Sequence, residues 1–192
     1  MGRSKAWLPF EGEPMLVRTL RRLGEAASPL VVVAAPEQEL PPLAEDVLVQ
    51  RDPVEGQGPL QGIAVGLEAL ANEARYAYVT STDAPFLAPA FIRRMRALVE
   101  GHDACVIHDD GHHHPLSAVF ATSLWTTARA LLDADRRRPF FLFEEAKTRF
   151  VTRDDLLADA AVRRVDPELW TLRNVNTPDD YERALRDAAS SS

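Results

Sequence analysis

Cysteine is nearly absent. Cys105 is the only one in 192 residues, which excludes an internal disulfide and any multi-thiolate zinc or iron–sulfur site. That usage fits a reducing, cytoplasmic location. Long apolar runs are missing too: the longest candidate, Leu30 to Ala35, is far short of the roughly 18 residues that cross a bilayer, so no membrane partner is expected. Pro9 and Glu11 interrupt the stretch a secretory signal would need, and Ala6 stands where an N-myristoylation signal requires Ser or Thr. Positive charge is in deficit. Lys and Arg total 22 against 29 Asp and Glu, a net of −7, which argues against a broad grip on nucleic acid or on an anionic membrane. A polyanionic substrate must then be attracted locally. The sequence also lacks a G-x-S-x-G elbow and a G-x-x-x-x-G-K-[ST] loop, and its cysteine lies inside an apolar run, so nucleophilic catalysis is poorly supported.

What is present reads as a single globular domain over 1–192 with a frayed tail at 188–192, since 46% apolar and 27% charged residues are ordinary usage. Leu16, Leu20 and Leu23 fall at i, i+4, i+7 and predict a helix over 13–24. LVVVAA (30–35) and YAYVTS (76–81) read as strands buried on both faces, and VLVQ (47–50) as a further strand. A helix follows the glycine-rich loop 51–61, with Leu60, Ile63, Ala64, Leu67, Leu70 and Ala71 on one face. Pro89 opens another. ACVIH (104–108) and PLSAVF (115–120) read as strands around a polar turn, Thr122 as the cap of a helix to about Asp133, and 149–151 and 162–165 as short strands. The last helix begins sharply at Thr177-Pro178-Asp179-Asp180. Strands alternating with helices predict an α/β fold of Rossmann-like type, a mostly parallel sheet with helices on both faces and ligands at the carboxyl ends of its strands.

Four of the nine glycines (Gly56, Gly58, Gly62, Gly66) crowd into RDPVEGQGPLQGIAVG, where backbone N–H groups can approach a ligand, or where the chain merely needs a pliable strand-to-helix loop. Asp83, in STDAPF just past a strand, suits Mg²⁺ and equally suits an ordinary turn. Asn174 and Asn176 precede a well-formed helix entry. Gly2, Arg3 and Lys5 suit phosphates, although a lysine so near a chain start is commonly just solvated. His112, His113 and His114 are consecutive, so an extended chain cannot turn all three to one side, which favours a polar turn over a metal cage. Arg136 to Arg138 is either a solvated surface or a phosphate contact.

In order and spacing, MGRSKAWLPFEGEP, RDPVEGQGPLQGI, STDAPFL, HPLSAVF and RNVNTPDDY resemble the molybdenum cofactor guanylyltransferases, a branch of the α/β nucleotidyltransferases. GPLQGI and NVNTP are the most discriminating of these; M-G-x-x-K and D-x-P-F are shared more widely. The resemblance covers nearly the whole chain. It implies transfer of GMP from GTP to the terminal phosphate of molybdenum-bound molybdopterin, with release of pyrophosphate. It assigns the GTP phosphates to Lys5 with Gly2 beside it, the guanosine to Asp52, Gly58, Pro59, Leu60 and Gly62, and Mg²⁺ to Asp83. Asn174 and Asn176 would lie by the metal and the molybdopterin, with Arg137 and His114 helping to hold the acceptor. The implied partners are the two substrates, together with transient contact with molybdoenzymes or cofactor chaperones.

The chemistry agrees with the residue types. A phosphate monoester has a second pKa near ~6 and is already an anion at neutral pH, so no general base is needed, and the demands are positioning and charge stabilisation. The GPLQGI loop argues against a CTP-dependent cytidylyltransferase. One departure motivates a further alternative, a non-catalytic nucleotide or molybdopterin carrier. The resemblance implies a buried strand and a loop like L-x-G-G-x-S-x-R ahead of M-G-x-x-K, on the order of 10–15 residues in all. This sequence opens at Met1-Gly2. Either the start lies upstream or the sheet has a gap.

Overall fold

The computed structural model describes residues 4–53, 56–109 and 111–190. After a short 3₁₀ turn at Lys5–Trp7, a small hairpin of β1 (Pro9–Phe10) and β2 (Glu13–Pro14) leads into α1 (Met15–Gly24). The apolar stripe of α1 buries Leu16, Leu20 and Leu23 as its spacing predicts. There follow β3 (Leu30–Ala34), β4 (Val47–Arg51), α2 (Pro59–Ala69), β5 (Tyr76–Thr80), α3 (Pro89–Leu98), β6 (Ala104–Asp109), β7 (His112–Ala121), α4 (Trp125–Asp133), α5 (Pro139–Glu145), β8 (Thr148–Val151), α6 (Arg153–Leu157), α7 (Ala160–Val165) and α8 (Pro178–Ser190). Among the described residues no helix is long and apolar enough to cross a membrane.

The strands form a four-stranded sheet in the order β5-β7-β6-β8, a separate parallel pair β3-β4, and the hairpin β1-β2. Helices cover both faces of the larger sheet. Period-two alternation sends Ala104 and Val106 of β6 against Leu60, Ile63 and Leu67 of α2, whereas Cys105 and Ile107 face Phe91 and Met95 of α3. Both sets are apolar because both faces are buried.

The expected mostly parallel sheet is instead mixed. β7 runs antiparallel to both β5 and β6, and only β6-β8 and β3-β4 are parallel. The reason is the two residues between β6 and β7. A connection that short forces an antiparallel return, and Gly111 takes the left-handed φ of +76° that such a turn needs. The polar turn expected around His112–His114 is correspondingly shorter, because all three histidines lie in β7. Residues 162–165, expected as a strand, belong to α7, whose first turn is capped by the Asp159 carboxylate accepting from the N–H groups of Ala161 and Val162. Thr122 does not cap α4. Its hydroxyl donates to the carbonyl of Ala74 at 2.6 Å and fastens the start of β5 instead. The tail expected to fray from 188 is helical to Ser190, with Ala188 buried beside Phe10 and Met15.

Candidate active site

Asp83 lies three residues beyond Thr80, the carboxyl end of β5, and its own backbone carbonyl accepts from Val175 N–H at 2.9 Å. That bond joins the D-A-P-F turn to the N-V-N-T-P segment. Val175 is buried with Phe10 and Met15, while Asn174 and Asn176 on either side of it are exposed. One apolar anchor between two amides, on an extended chain, presents both amides outward.

Lys5 arrives at the same place from the 3₁₀ turn. Its ammonium donates to Asp83 Oδ2 at 2.5 Å and to Asn176 Oδ1 at 2.9 Å. Asn174 Oδ1 accepts from Ser81 Oγ at 3.4 Å. Three motifs separated by 78 and 171 positions in sequence thus meet at one point. Asp83 is almost wholly buried, and its Oδ1 has no partner among the described residues. A buried carboxylate oxygen without a partner costs on the order of 1–3 kcal/mol, which a bound cation or donor would recover. The donor set, a carboxylate and a carboxamide oxygen about one cation, is hard-oxygen chemistry that fits Mg²⁺ or Mn²⁺, which take one or two carboxylates and complete their shells with water and substrate phosphate. The ammonium of Lys5 lies between those same two oxygens.

The entry to α8 fixes Asn176. Asp180 Oδ2 accepts from the N–H of Asn176 at 3.2 Å and of Thr177 at 3.0 Å, and Thr177 Oγ1 accepts from Asp180 N–H at 3.1 Å. This reciprocal cap holds the Asp180 carboxyl below its ordinary value, chiefly through the hydrogen bonds of Thr177. The T-x-x-D spacing was the available signal for the positioning role of Asp180.

The glycine loop lies between β4 and the start of α2. Gly58 is the N-cap with φ +79°, a conformation that favours glycine, and Pro59 occupies the first turn. Asp52 N–H donates to the carbonyl of Ala34 at 2.8 Å, so the loop leaves from the carboxyl ends of β3 and β4. The Leu60 side chain is fully buried in the core, so only its main chain is available to a ligand. Gly62 is half-buried one turn into the helix. Gly2 lies outside the described residues, as do Val54 and Glu55.

His114 and Arg137 are not drawn into the Lys5–Asp83 cluster. His114 is in β7 opposite Ile107, with burial as the main cause holding its pKa below the ordinary value. Arg137, beyond α4, pairs with Asp135 at 2.6 Å on the surface. His113 stacks on His108 with ring centroids 4.8 Å apart, among Phe140, Phe143 and Phe150.

A family model described as "MobA-like NTP transferase domain" matches residues 1–148. The chain belongs to that family. Among MobA-like relatives, it is 34% identical over 190 residues to the "Probable molybdenum cofactor guanylyltransferase" of Mycobacterium ulcerans, covering 97% of this chain and 87% of that one. The corresponding protein of Mycobacterium tuberculosis H37Rv, named in the same words, is 37% identical over 181 residues, covering 92% and 83%. Among solved structures, "Molybdopterin-guanine dinucleotide biosynthesis protein A" from Archaeoglobus fulgidus superposes with a TM-score of 0.76 at 22% identity, over 98% of this chain and 92% of that one. At that identity the likeness speaks for the MobA-like fold, with its α/β architecture and mixed sheet, and the family is one of nucleotidyltransferases.

Proposed function

We propose that the protein transfers GMP from GTP to the terminal phosphate of molybdenum-bound molybdopterin and releases pyrophosphate. The observation that carries this reading is the convergence of Lys5, Asp83 and Asn176 at the carboxyl end of β5. The names of the curated relatives supply the substrate class. In the reaction an oxygen of the acceptor phosphate forms a bond to the α-phosphorus of GTP, and the bond from that phosphorus to the bridging oxygen of the β-phosphate breaks. The acceptor is already ionised, so no side chain need remove a proton.

Asp83 and Asn176 would hold Mg²⁺, which supplies neutralisation of the triphosphate charge. Lys5, on a flexible four-carbon stem, then turns its ammonium from the two oxygens toward the phosphates. The N-terminus of α2, with Gly58 and Pro59, faces the guanosine together with Asp52 and Gly62, while Leu60 acts through its main chain. Asn174 lies toward the acceptor, with His114 and Arg137 as its outer contacts.

The test is pyrophosphate release. With GTP, Mg²⁺ and molybdopterin, turnover is expected to depend on all three, and Asp83→Ala is expected to lower it by at least about 10²-fold, the scale of losing one charge-stabilising group. Equal turnover of CTP would instead support the cytidylyltransferase, and GTP binding without pyrophosphate release would support a carrier.

A further inference from the structure

Residues 82–88 carry Asp83 from β5 to α3 through turns alone, so no sheet or helix ladder satisfies their carbonyls and each needs its own partner. Ala84 O and Ala88 O accept from the nearby N–H groups of Leu87 and Phe91. Asp83 O takes the Val175 N–H, and Phe86 O takes the Thr171 hydroxyl at 3.3 Å. The rest are held by α1. Arg18 Nε donates to Pro85 O at 3.0 Å, Thr19 Oγ1 to Thr82 O at 3.3 Å and Arg22 Nε to Leu87 O at 3.1 Å. At spacings of three and four, these side chains lie on one side of the helix and grip the Asp83 segment on both flanks of the carboxylate.

Arg18 also reaches in a second direction. Its terminal nitrogens lie 2.5 Å from the Glu11 carboxylate and 3.7 Å from that of Glu13, and its guanidinium carbon stands 5.1 Å over the Phe10 ring. All three belong to the β1-β2 hairpin, which follows the Lys5 turn directly. Glu11 and Gly12 form its two-residue loop with left-handed φ values of +47° and +85°. A side chain disfavours that region, and what Glu11 contributes from it is the carboxylate on Arg18. Phe10 meets Phe86 edge-on with ring centroids 5.7 Å apart, so the hairpin touches the Asp83 segment a second time beside the guanidinium. Arg21, the neighbouring cation, pairs only with Glu13 and Glu25 and is 52% exposed, against 15% for Arg18.

We propose that Arg18 is a positioning residue for the cation site, one guanidinium that joins the hairpin behind Lys5 to the turn around Asp83 and so sets how the ammonium and the carboxylate meet. Among the described residues it bonds to neither of them, so it acts only through the two segments it ties together. The chemistry calls for arginine. A planar fork satisfies a carbonyl through Nε while its far nitrogens hold a carboxylate, whereas the single ammonium of lysine serves the carboxylate and leaves Pro85 O without a donor. Freed of that bond, the turn can shift and carry the Asp83 carboxylate with it, together with the Asp83 carbonyl that accepts from Val175. The inference rests on the reading of Lys5, Asp83 and Asn176 as the cation site.

The test compares Arg18→Met and Arg18→Lys with Arg21→Met, which removes a guanidinium from the same hairpin and none from the Asp83 segment. Arg18→Lys keeps a cation beside Glu11 and guards against a variant that fails to fold. In the protein without ligands, both Arg18 variants are expected to speed hydrogen exchange of the Val175 amide at least about 10-fold, and Arg21→Met to leave it within about twofold. Mn²⁺ alone is titrated in a Lys5→Met background, where no ammonium competes; adding either Arg18 variant is expected to weaken its binding about 10–100-fold. With GTP, Mg²⁺ and molybdopterin, the Arg18 variants should lower kcat about 10–100-fold with KM for GTP within about twofold, and Arg21→Met should change neither. Val175 exchange that is unchanged in Arg18→Lys overturns the proposal, and so does Arg21→Met losing Mn²⁺ affinity or kcat to the same extent. Failure of Lys5→Met to bind Mn²⁺ at all would count against the cation site itself, while the Val175 amide still decides for or against Arg18.

Discussion

Replacing Lys5 by methionine should destabilise the protein more than replacing Asp83 by asparagine, although the two changes break the same contact. At the 2.5 Å separation, the Coulomb attraction is about 1.7 kcal/mol in a water-like dielectric and about 6.6 kcal/mol at an effective dielectric near 20. Against it stand desolvation of the carboxylate and about 2 kcal/mol of lysine rotamer entropy. The lysine side chain is 36% exposed and the aspartate 11%, so the net coupling falls well below a fully buried pair, at about 1–2 kcal/mol. Lys5→Met leaves a buried carboxylate with both oxygens lacking their cation and should cost that amount. Asp83→Asn leaves an ammonium that can swing into water and should cost less than about 0.5 kcal/mol, with the double variant close to Asp83→Asn alone. Urea unfolding of the four proteins at constant m-value measures this cycle. Equal losses for the two single variants, or a coupling energy near zero, would refute the asymmetry of burial on which the argument rests.

The same geometry makes Lys5 a competitor for a cation in the nucleotide-free protein. Lys5→Met is therefore expected to bind Mn²⁺ more tightly than the parent, while losing pyrophosphate release, and weaker binding would count against Asp83 and Asn176 as the donors. Thr177→Ala removes the cap of α8 and should cost about 1 kcal/mol, read as a fall in melting temperature. Asp180 has its pKa lowered in the folded state, so its contribution is present above the ordinary carboxyl range near pH 4 and is lost as pH falls through the lowered value. Asp180→Asn should therefore flatten the acid side of the stability profile. Burial pushes the Cys105 thiol up to about 12, so a disulfide reagent at pH 8 should label it only after unfolding, and rapid labelling of the native protein would contradict its placement. Leu60→Ala should cost about 2–5 kcal/mol because the side chain is in the core, with any loss of activity following loss of fold.

Much of the architecture was legible because its cause is local. The stripe Leu16, Leu20, Leu23, the apolar runs at 30–34 and 76–80 and the Gly58-Pro59 helix start each carry their own period or punctuation. Sheet order was not legible, since the direction of β7 depends on the two residues before it and on its pairing with β5, which lies 37 positions earlier at the nearest register, Thr80 with Ser117. Residues 162–165 read as a strand because β-branched content over so few residues outweighs the capping signal of Asp159, which only the observed N–H contacts reveal. Thr122 likewise has the chemistry of a cap, and it found a closer acceptor in a different element.

The site shows a different division. Residue types announced Lys5, Asp83 and Asn176 singly, but each alone had an ordinary reading as solvated lysine, turn aspartate or helix entry. What removes those readings is convergence from three parts of the chain onto one cation position, and convergence is a tertiary property. His114 and Arg137, equally plausible as types, stay apart because one is held in β7 and the other is paired with Asp135. The strands expected to be buried on both faces carry a related lesson. Val31 and Val33 of β3, and Tyr78 and Thr80 of β5, remain half-exposed although their sequences have the composition of interior strands. β5 ends three residues before Asp83, so the packing of that strand bears directly on the position of the carboxylate that Lys5 meets.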